Sequence, residues 1–210
     1  MRAQQARAEE KMEILSGIFS AFGLSASAGL NAYIPLLMVG LIANFTDQIR
    51  LPQEFAWLSN GWVLGIIAVL LLAEVVLDKV PVVDSVNDMI QTVIRPASGG
   101  VVFSATQAAT QLDNSSWMTH NPWLSWVMGI GIALAIHLMK STARPVVNAS
   151  TAGVGAPVIS TVEDAGSLGM SLIAIFLPVL VIVAVAVLAL FAWWVFRKIR
   201  RRRAIRRSPV

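Results

Sequence analysis

Glu74 and Asp78 lie four residues apart and so share one face of a helix, while His137, Lys140 and Arg144 follow at i, i+3 and i+7 and share one face of another. Two carboxylates on one helix and an imidazole, an ammonium and a guanidinium on a second can form an ion pathway or a proton relay where they meet inside a membrane. They can equally serve as plain interhelical ion pairs and interfacial anchors. A third stripe follows in DSVNDMIQTVIRP, where Asp84, Asp88, Gln91 and Arg95 recur at helical spacing with Val86, Met89, Ile90 and Val93 opposite. Its acids come first and its arginine last, as the helix dipole favours. Lys79 beside the acidic pair, Asn31 and Asn148 complete the set of residues expected to line a substrate or ion pathway.

Other chemistry is excluded or weak. With no cysteine, disulfides, thiolate metal sites and cysteine nucleophiles drop out, and only His120 and His137 offer imidazole. They are too far apart in sequence to argue a metal pair, so neither a metal nor a cofactor is expected. GxSxG, HExxH and P-loop patterns are missing. KSTARP has the lysine and Arg-Pro of lipid-phosphate phosphatases, but the spacing is wrong and the partner motifs are missing.

The elements that must position these residues are set by hydropathy. A chain of 210 residues, 56% hydrophobic, with a mean hydropathy of +0.70, carries more apolar surface than a soluble domain of that size can bury. An integral membrane protein is expected. Apolar stretches fall at about 13–45, 61–80, 123–141 and 167–196, against the ~20 residues a helix needs to span the hydrocarbon. The first is too long for one straight span, and Gly29, Asn31 and Pro35 predict a broken helix or a tight helical hairpin. The last is long enough to span with tilt, with Pro178 as a kink and Trp193 and Trp194 at the interface. Between them, 81–112 and 145–165 are semi-polar, and such segments sit at membrane depth only when they pack against protein or line water. NASTAGVGAPVIS, at 148–160, has the composition of a re-entrant loop or of close helix packing.

The N-terminus imitates a signal peptide, but Glu9 and Glu10 spoil its positive region and the apolar character resumes after Gly29, so a retained first membrane segment is expected. Eight of the sixteen basic residues lie in the tail RKIRRRRAIRR, which reads as a cytoplasmic anchor. Its Arg200, Arg201, Arg202 and Arg203 could also attract anionic lipid headgroups. Nucleic acid is not an expected partner, since no soluble module accompanies the tail. The loops 46–60 and 113–122 hold one basic residue between them, Arg50, and are expected to face outward.

A gapless shift of 64 residues lays Trp62–Asp84 on Trp126–Asn148 with eight identities in twenty-three positions, including Pro81-Val82-Val83 on Pro145-Val146-Val147. This predicts an internal duplication in which each unit is a membrane helix, a Pro-Val-Val corner and a semi-polar segment. Duplicated transporters put their sites where the halves meet. The expected organisation is an N-terminal polar segment (1–12), one membrane domain (13–196) with repeat units at about 61–112 and 123–165, and a basic tail (197–210). The expected fold is all-α, with about five or six membrane helices, some of them broken or re-entrant. Whether the repeats are parallel or inverted depends on whether 84–112 crosses or re-enters. Glu74 is expected to pair with His137 or Lys140 across the repeat interface.

SAGLNAYIPLL (27–37), Glu74 with DKVPVVDSVND (78–88), IRP (94–96), His137, Lys140 and Arg144-Pro145, and ED (163–164) together resemble a family of small prokaryotic multi-pass membrane proteins known as a domain of unknown function, the one numbered 4126. The resemblance covers about residues 15–185. It implies a multi-helix membrane fold and brings no activity, substrate or cofactor.

The function these readings lead to is a transporter or channel for a small ion or polar solute in the bacterial cytoplasmic (inner) membrane. Glu74 and His137 would change protonation, and Asp78, Asp84 and Asp88 would form an acidic mouth closed by Lys140 and Arg144. Two alternatives stand beside it: a structural or assembly protein whose charges are interhelical pairs, and a membrane enzyme on lipid phosphates with Arg95, Lys140 and Arg144 as an anion clamp. The sequence is compatible with an oligomer.

Overall fold

The computed structural model describes residues 1–79, 81–111, 121–151 and 154–181, with isolated positions 183, 186, 187, 190 and 197; of residues 3, 6, 10, 81–86, 111 and 148 only the backbone is described. The basic tail beyond Arg197, His120, and Trp193 with Trp194 lie outside the described residues, and so do the side chains of Asp84 and Asn148.

Among the described residues the chain is helical throughout: α1 (Arg2–Leu30), α2 (Tyr33–Phe45), a 3₁₀ turn (Gln53–Ser59), α3 (Gly61–Leu77), α4 (Pro81–Gln111), α5 (Pro122–Thr151) and α6 (Gly155–Phe176). Among the described residues three helices are long and apolar enough to cross a membrane, or four if the 3₁₀ turn and α3, bent by 59°, count as one span. The distribution of side chains is inside-out for a water-soluble fold. Trp62, Ile66, Val69, Leu72 and Val76, at three- and four-residue intervals, form an exposed apolar face of α3, while Glu74 of the same helix is 2% exposed.

The long first stretch breaks as its composition predicts, at Asn31, whose backbone is extended. Asn31 Oδ1 accepts hydrogen bonds from the N–H groups of Tyr33 and Ile34, at 3.0 and 3.2 Å, and so supplies the first turn of α2 with the acceptor it lacks. Pro35 then falls in that same first turn, where its missing N–H costs nothing, and Gly29 lies inside α1, so neither breaks the helix.

The semi-polar segments are helical over most of their length. Residues 81–111 form the single helix α4, with Pro96 inside it; the stripe of Gln91 and Arg95 is buried and Met89, Ile90 and Val93 are exposed, the amphipathic helix the spacing predicts, continued to Gln111. The stretch 148–160, read as a re-entrant loop or as close helix packing, contributes its first residues to α5 and, from Gly155 onward, the first turns of α6. Nor are the two Pro-Val-Val corners alike: Pro81 opens α4 after a break, whereas Pro145 lies inside α5. Proline suits the first position of a helix, and inside α5 it removes one ladder bond without ending the helix.

α4 and α5 lie antiparallel, with the level of Thr92 and Arg95 on His137 and that of Gly99 on Ala133 and Gly129. Gly99 and Gly129 let the two backbones touch: a Cβ on Gly99 would lie 2.7 Å from the Gly129 carbonyl oxygen. α1 packs against α4, α5 and α6 and forms the middle of the bundle. Ser25 Oγ donates to the Gly99 carbonyl at 2.9 Å, and Ser27 Oγ meets Ser167 Oγ at 2.8 Å and Ser171 Oγ at 2.7 Å. After α6, Ala174 and Val181 both lie within 3 Å of a Cβ placed on Gly23. In a straight helix those two positions would be about 10.5 Å apart, so the chain bends sharply at Leu177–Val179, more than a proline kink in one continuous span.

Candidate functional site

Four helix segments bring their polar residues to one end of the bundle: the C-terminal end of α3, the first half of α4, the second half of α5 and the start of α6. The break between α1 and α2 lies beside them. Glu74, Asp78, Arg95, His137, Lys140 and Arg144 are all buried, none more than 6% exposed.

Arg95 is the hub. Its Nη2 donates to Glu74 Oε1 at 2.8 Å and stands 3.6 Å from Asp78 Oδ2, and its Nη1 faces His137 Nδ1 at 3.3 Å. A guanidinium only donates, so Nδ1 must accept. The imidazole proton is then on Nε2, donated to Thr92 Oγ1 at 2.9 Å, and the Thr92 hydroxyl donates to the Asp88 carbonyl at 2.8 Å. This chain of donors is that of a neutral histidine. No hydrogen bond or ion pair joins Glu74 to His137 or Lys140 among the described residues. The expected direct partner is thus replaced by Arg95, whose long side chain from α4 reaches between α3 and α5.

A second layer surrounds Asp78 and Glu163. Lys140 Nζ lies 2.9 Å from Glu163 Oε2, 3.6 Å from Asp78 Oδ2 and 3.0 Å from the Leu30 carbonyl, one of the acceptors freed by the helix break. Arg144 Nη2 lies 3.1 Å from Asp78 Oδ2 and pairs closely with Glu163, while its Nη1 is 3.7 Å from Asp88 Oδ1. Asn87 donates to Asp78 Oδ1 at 2.7 Å. Asn31, fully buried, donates to Asp164 Oδ1 at 2.9 Å, so both ends of its amide are spent on protein groups.

The sequence-predicted residues Asn31, Glu74, Asp78, Asp88, Arg95, His137, Lys140 and Arg144 therefore meet in one network. Lys79 does not: it is exposed and donates to the Val75 carbonyl of its own helix. Asp84 and Asn148 lie in α4 and α5, and their side chains are outside the described residues. Sequence reasoning missed Glu163 and Asp164 as members of the site; the adjacent pair of acids in an otherwise apolar stretch was the available signal. It also missed Asn87 and Thr92. With Glu163 and Asp164 included, five carboxylates face three bases, an excess of two negative charges when all are ionised.

At the opposite end of the bundle is a cavity of about 460 Å³, whose lining includes Glu13, Ser20, Arg50, Thr106, Thr110 and Phe176. Between cavity and charges, on the α1–α6 seam, lie Ser27, Ser167 and Ser171, each 0% exposed. Among the described residues no group of three or more His, Cys, Asp or Glu side chains is placed to hold a metal ion.

No curated protein and no solved structure matches the chain. The family model described as "Domain of unknown function (DUF4126)" matches residues 18–198, which takes in every helix that contributes to the network. The segments whose motifs form the buried charge network are thus the body of that family's domain, and the chain belongs to the DUF4126 family.

Proposed function

We propose that this protein is a membrane transporter or channel for a small ion or polar solute, coupled to protons through its buried charges and seated in the bacterial cytoplasmic membrane with its C-terminus inside. The observation that carries this reading is the network itself. Each charge at membrane depth costs at least about 2.5 kcal/mol even on the lenient insertion scale, and a bundle held only by packing has no need of eight of them. Their imbalance toward acid favours a cationic cargo, a proton or a metal ion, over an anion. The hydroxyls of Ser27, Ser167 and Ser171 continue the polar interior toward the cavity at the other end. In this reading α1, α3, α4, α5 and α6 are crossings, α2 carries the chain back from the charges to the start of α3, and α4 sets its polar side against α1 and α5 while Met89, Ile90 and Val93 face outward. α3 and α5 both run toward the charges and α4 and α6 both run away from them. If these are the two copies of a duplicated unit, the repeats are parallel.

A structural role is the second reading, favoured by the pairing of Lys140 and Arg144 with two or more carboxylates each. The same pairing removes support from a lipid-phosphate enzyme, whose anion clamp would need those bases free. Reconstituted vesicles carrying a pH-sensitive dye, challenged with a panel of cations and anions, test the proposal. Flux is expected in wild type and its proton coupling is expected to be lost in Glu74→Gln. Unchanged coupled flux in that variant rules out coupling through Glu74, and no flux in wild type leaves the structural reading.

A further inference from the structure

Three buried polar atoms at the hub find no hydrogen-bond partner among the described residues: Glu74 Oε2, Gln91 Oε1 and Arg95 Nε. The residues that carry them are 2%, 2% and 0% exposed. A buried polar atom left unmatched costs about 1–3 kcal/mol, and more when charged. Two of the three belong to side chains that already meet, Glu74 and Arg95. Arg95 holds Glu74 by one contact, Nη2 to Oε1, where a two-point fork would also have used the second carboxylate oxygen and another guanidinium nitrogen. Gln91 lies one turn before Arg95 on the same face of α4. Its side chain lies within electrostatic reach of Tyr33, as do Glu74 and Arg95.

Two acceptors and one donor are the complement of a single water molecule, which donates twice and accepts once. A metal cation would meet the Nε–H of Arg95, and an anion would meet the two acceptor oxygens. We propose that Glu74, Gln91 and Arg95 bind one water molecule between them, and that this water delivers the proton to Glu74. A proton arriving as hydronium crosses to Glu74 Oε2: one O–H bond of the hydronium breaks, one forms on the carboxyl, and neutral water remains. The neutral carboxyl no longer holds the guanidinium as an ion pair, so Arg95 turns to Asp78 Oδ2, 3.6 Å away. Asp78 is shared with Lys140 and Arg144, and its engagement by Arg95 loosens both from α3. The groups that act on Glu74 are thus Arg95 from α4, Asp78 from α3, Lys140 from α5 and Tyr33 from α2. His137 lies on the far side of Arg95. The relay rests on the proton-coupled reading above; the water site stands without it.

Infrared difference spectroscopy of the purified full chain in lipid, acid minus alkaline, recorded in water of natural isotope content and in ¹⁸O-water, reads the site without any flux measurement. In wild type a carboxylic C=O band is expected that disappears in Glu74→Gln, together with an O–H stretch that shifts with the oxygen isotope. In Gln91→Met the isotope-sensitive band is expected to vanish and the Glu74 band to move. A Glu74 band with no isotope-sensitive companion in wild type, or a companion unchanged in Gln91→Met, overturns the proposal. The wild-type arm decides even if the variant does not fold. A protein that shows the water band but carries no flux retains the site and loses the transport reading.

Discussion

Arg95 Nη2 lies 2.8 Å from Glu74 Oε1 with both side chains out of contact with the surroundings, and this one bond ties α3 to α4 at the level where α5 contributes His137. A buried charge of this kind is tolerable only in company. It makes Glu74 and Arg95 a coupled unit, and substitutions there should not add.

Arg95→Met is expected to destabilise the protein by about 3 to 5 kcal/mol, because it leaves Glu74 as an uncompensated buried charge, and Glu74→Gln by less, because Arg95 keeps Asp78 at 3.6 Å. The double variant should cost much less than the sum. Unfolding in mixed detergent micelles, run as a double-mutant cycle, measures this. Additive costs would mean the two side chains do not meet. The same cycle with Glu74→Gln and Lys140→Met should be closer to additive, since no ion pair joins those two.

The α4–α5 contact depends on the absence of side chains. Gly129→Ala is expected to cost about 1–3 kcal/mol, since its Cβ would lie 2.6 Å from Phe103 Cβ and would also strike the Gly99 backbone. Gly131→Ala, two residues on, has nothing within 4 Å and should be neutral or stabilising by up to about 1 kcal/mol. Thermal midpoints of the two variants in one detergent decide it; equal shifts would contradict the close approach of the helices.

Asn31→Ala removes the acceptor for the first N–H groups of α2 and the donor to Asp164. A loss of about 1–2 kcal/mol is expected from the cap alone. Asn31→Ser keeps an acceptor near the same N–H groups and should recover part of that loss. Stability of both variants by chemical denaturation checks this, and no recovery by serine would assign the loss to Asp164 instead.

Topology follows from the charge distribution. A cysteine at position 115 should be labelled by an impermeant reagent in whole cells, and one at position 208 only after permeabilisation. Equal labelling of both from outside would overturn the assignment.

Much of the site was legible in the sequence because spacing along one helix is a local property. The pairs Glu74/Asp78, Asp88/Arg95 and Lys140/Arg144 share faces wherever their helices go, and the break at Asn31 follows from an amide side chain able to cap the helix that comes after it. The inside-out pattern was readable too, since a chain this apolar must keep its charges turned from lipid. What the sequence could not determine was which face meets which. Arg95 outcompetes Lys140 for Glu74 because the glycine contact at Gly99 and Gly129 draws α4 against α5, and that places its guanidinium between the two neighbouring helices. Glu163 and Asp164 join only because the serine seam holds α6 antiparallel on α1. The equivalence of the two Pro-Val-Val corners failed for the same reason. Whether a proline opens a helix or sits within one depends on the packing around it, and packing is set by residues far away in the chain.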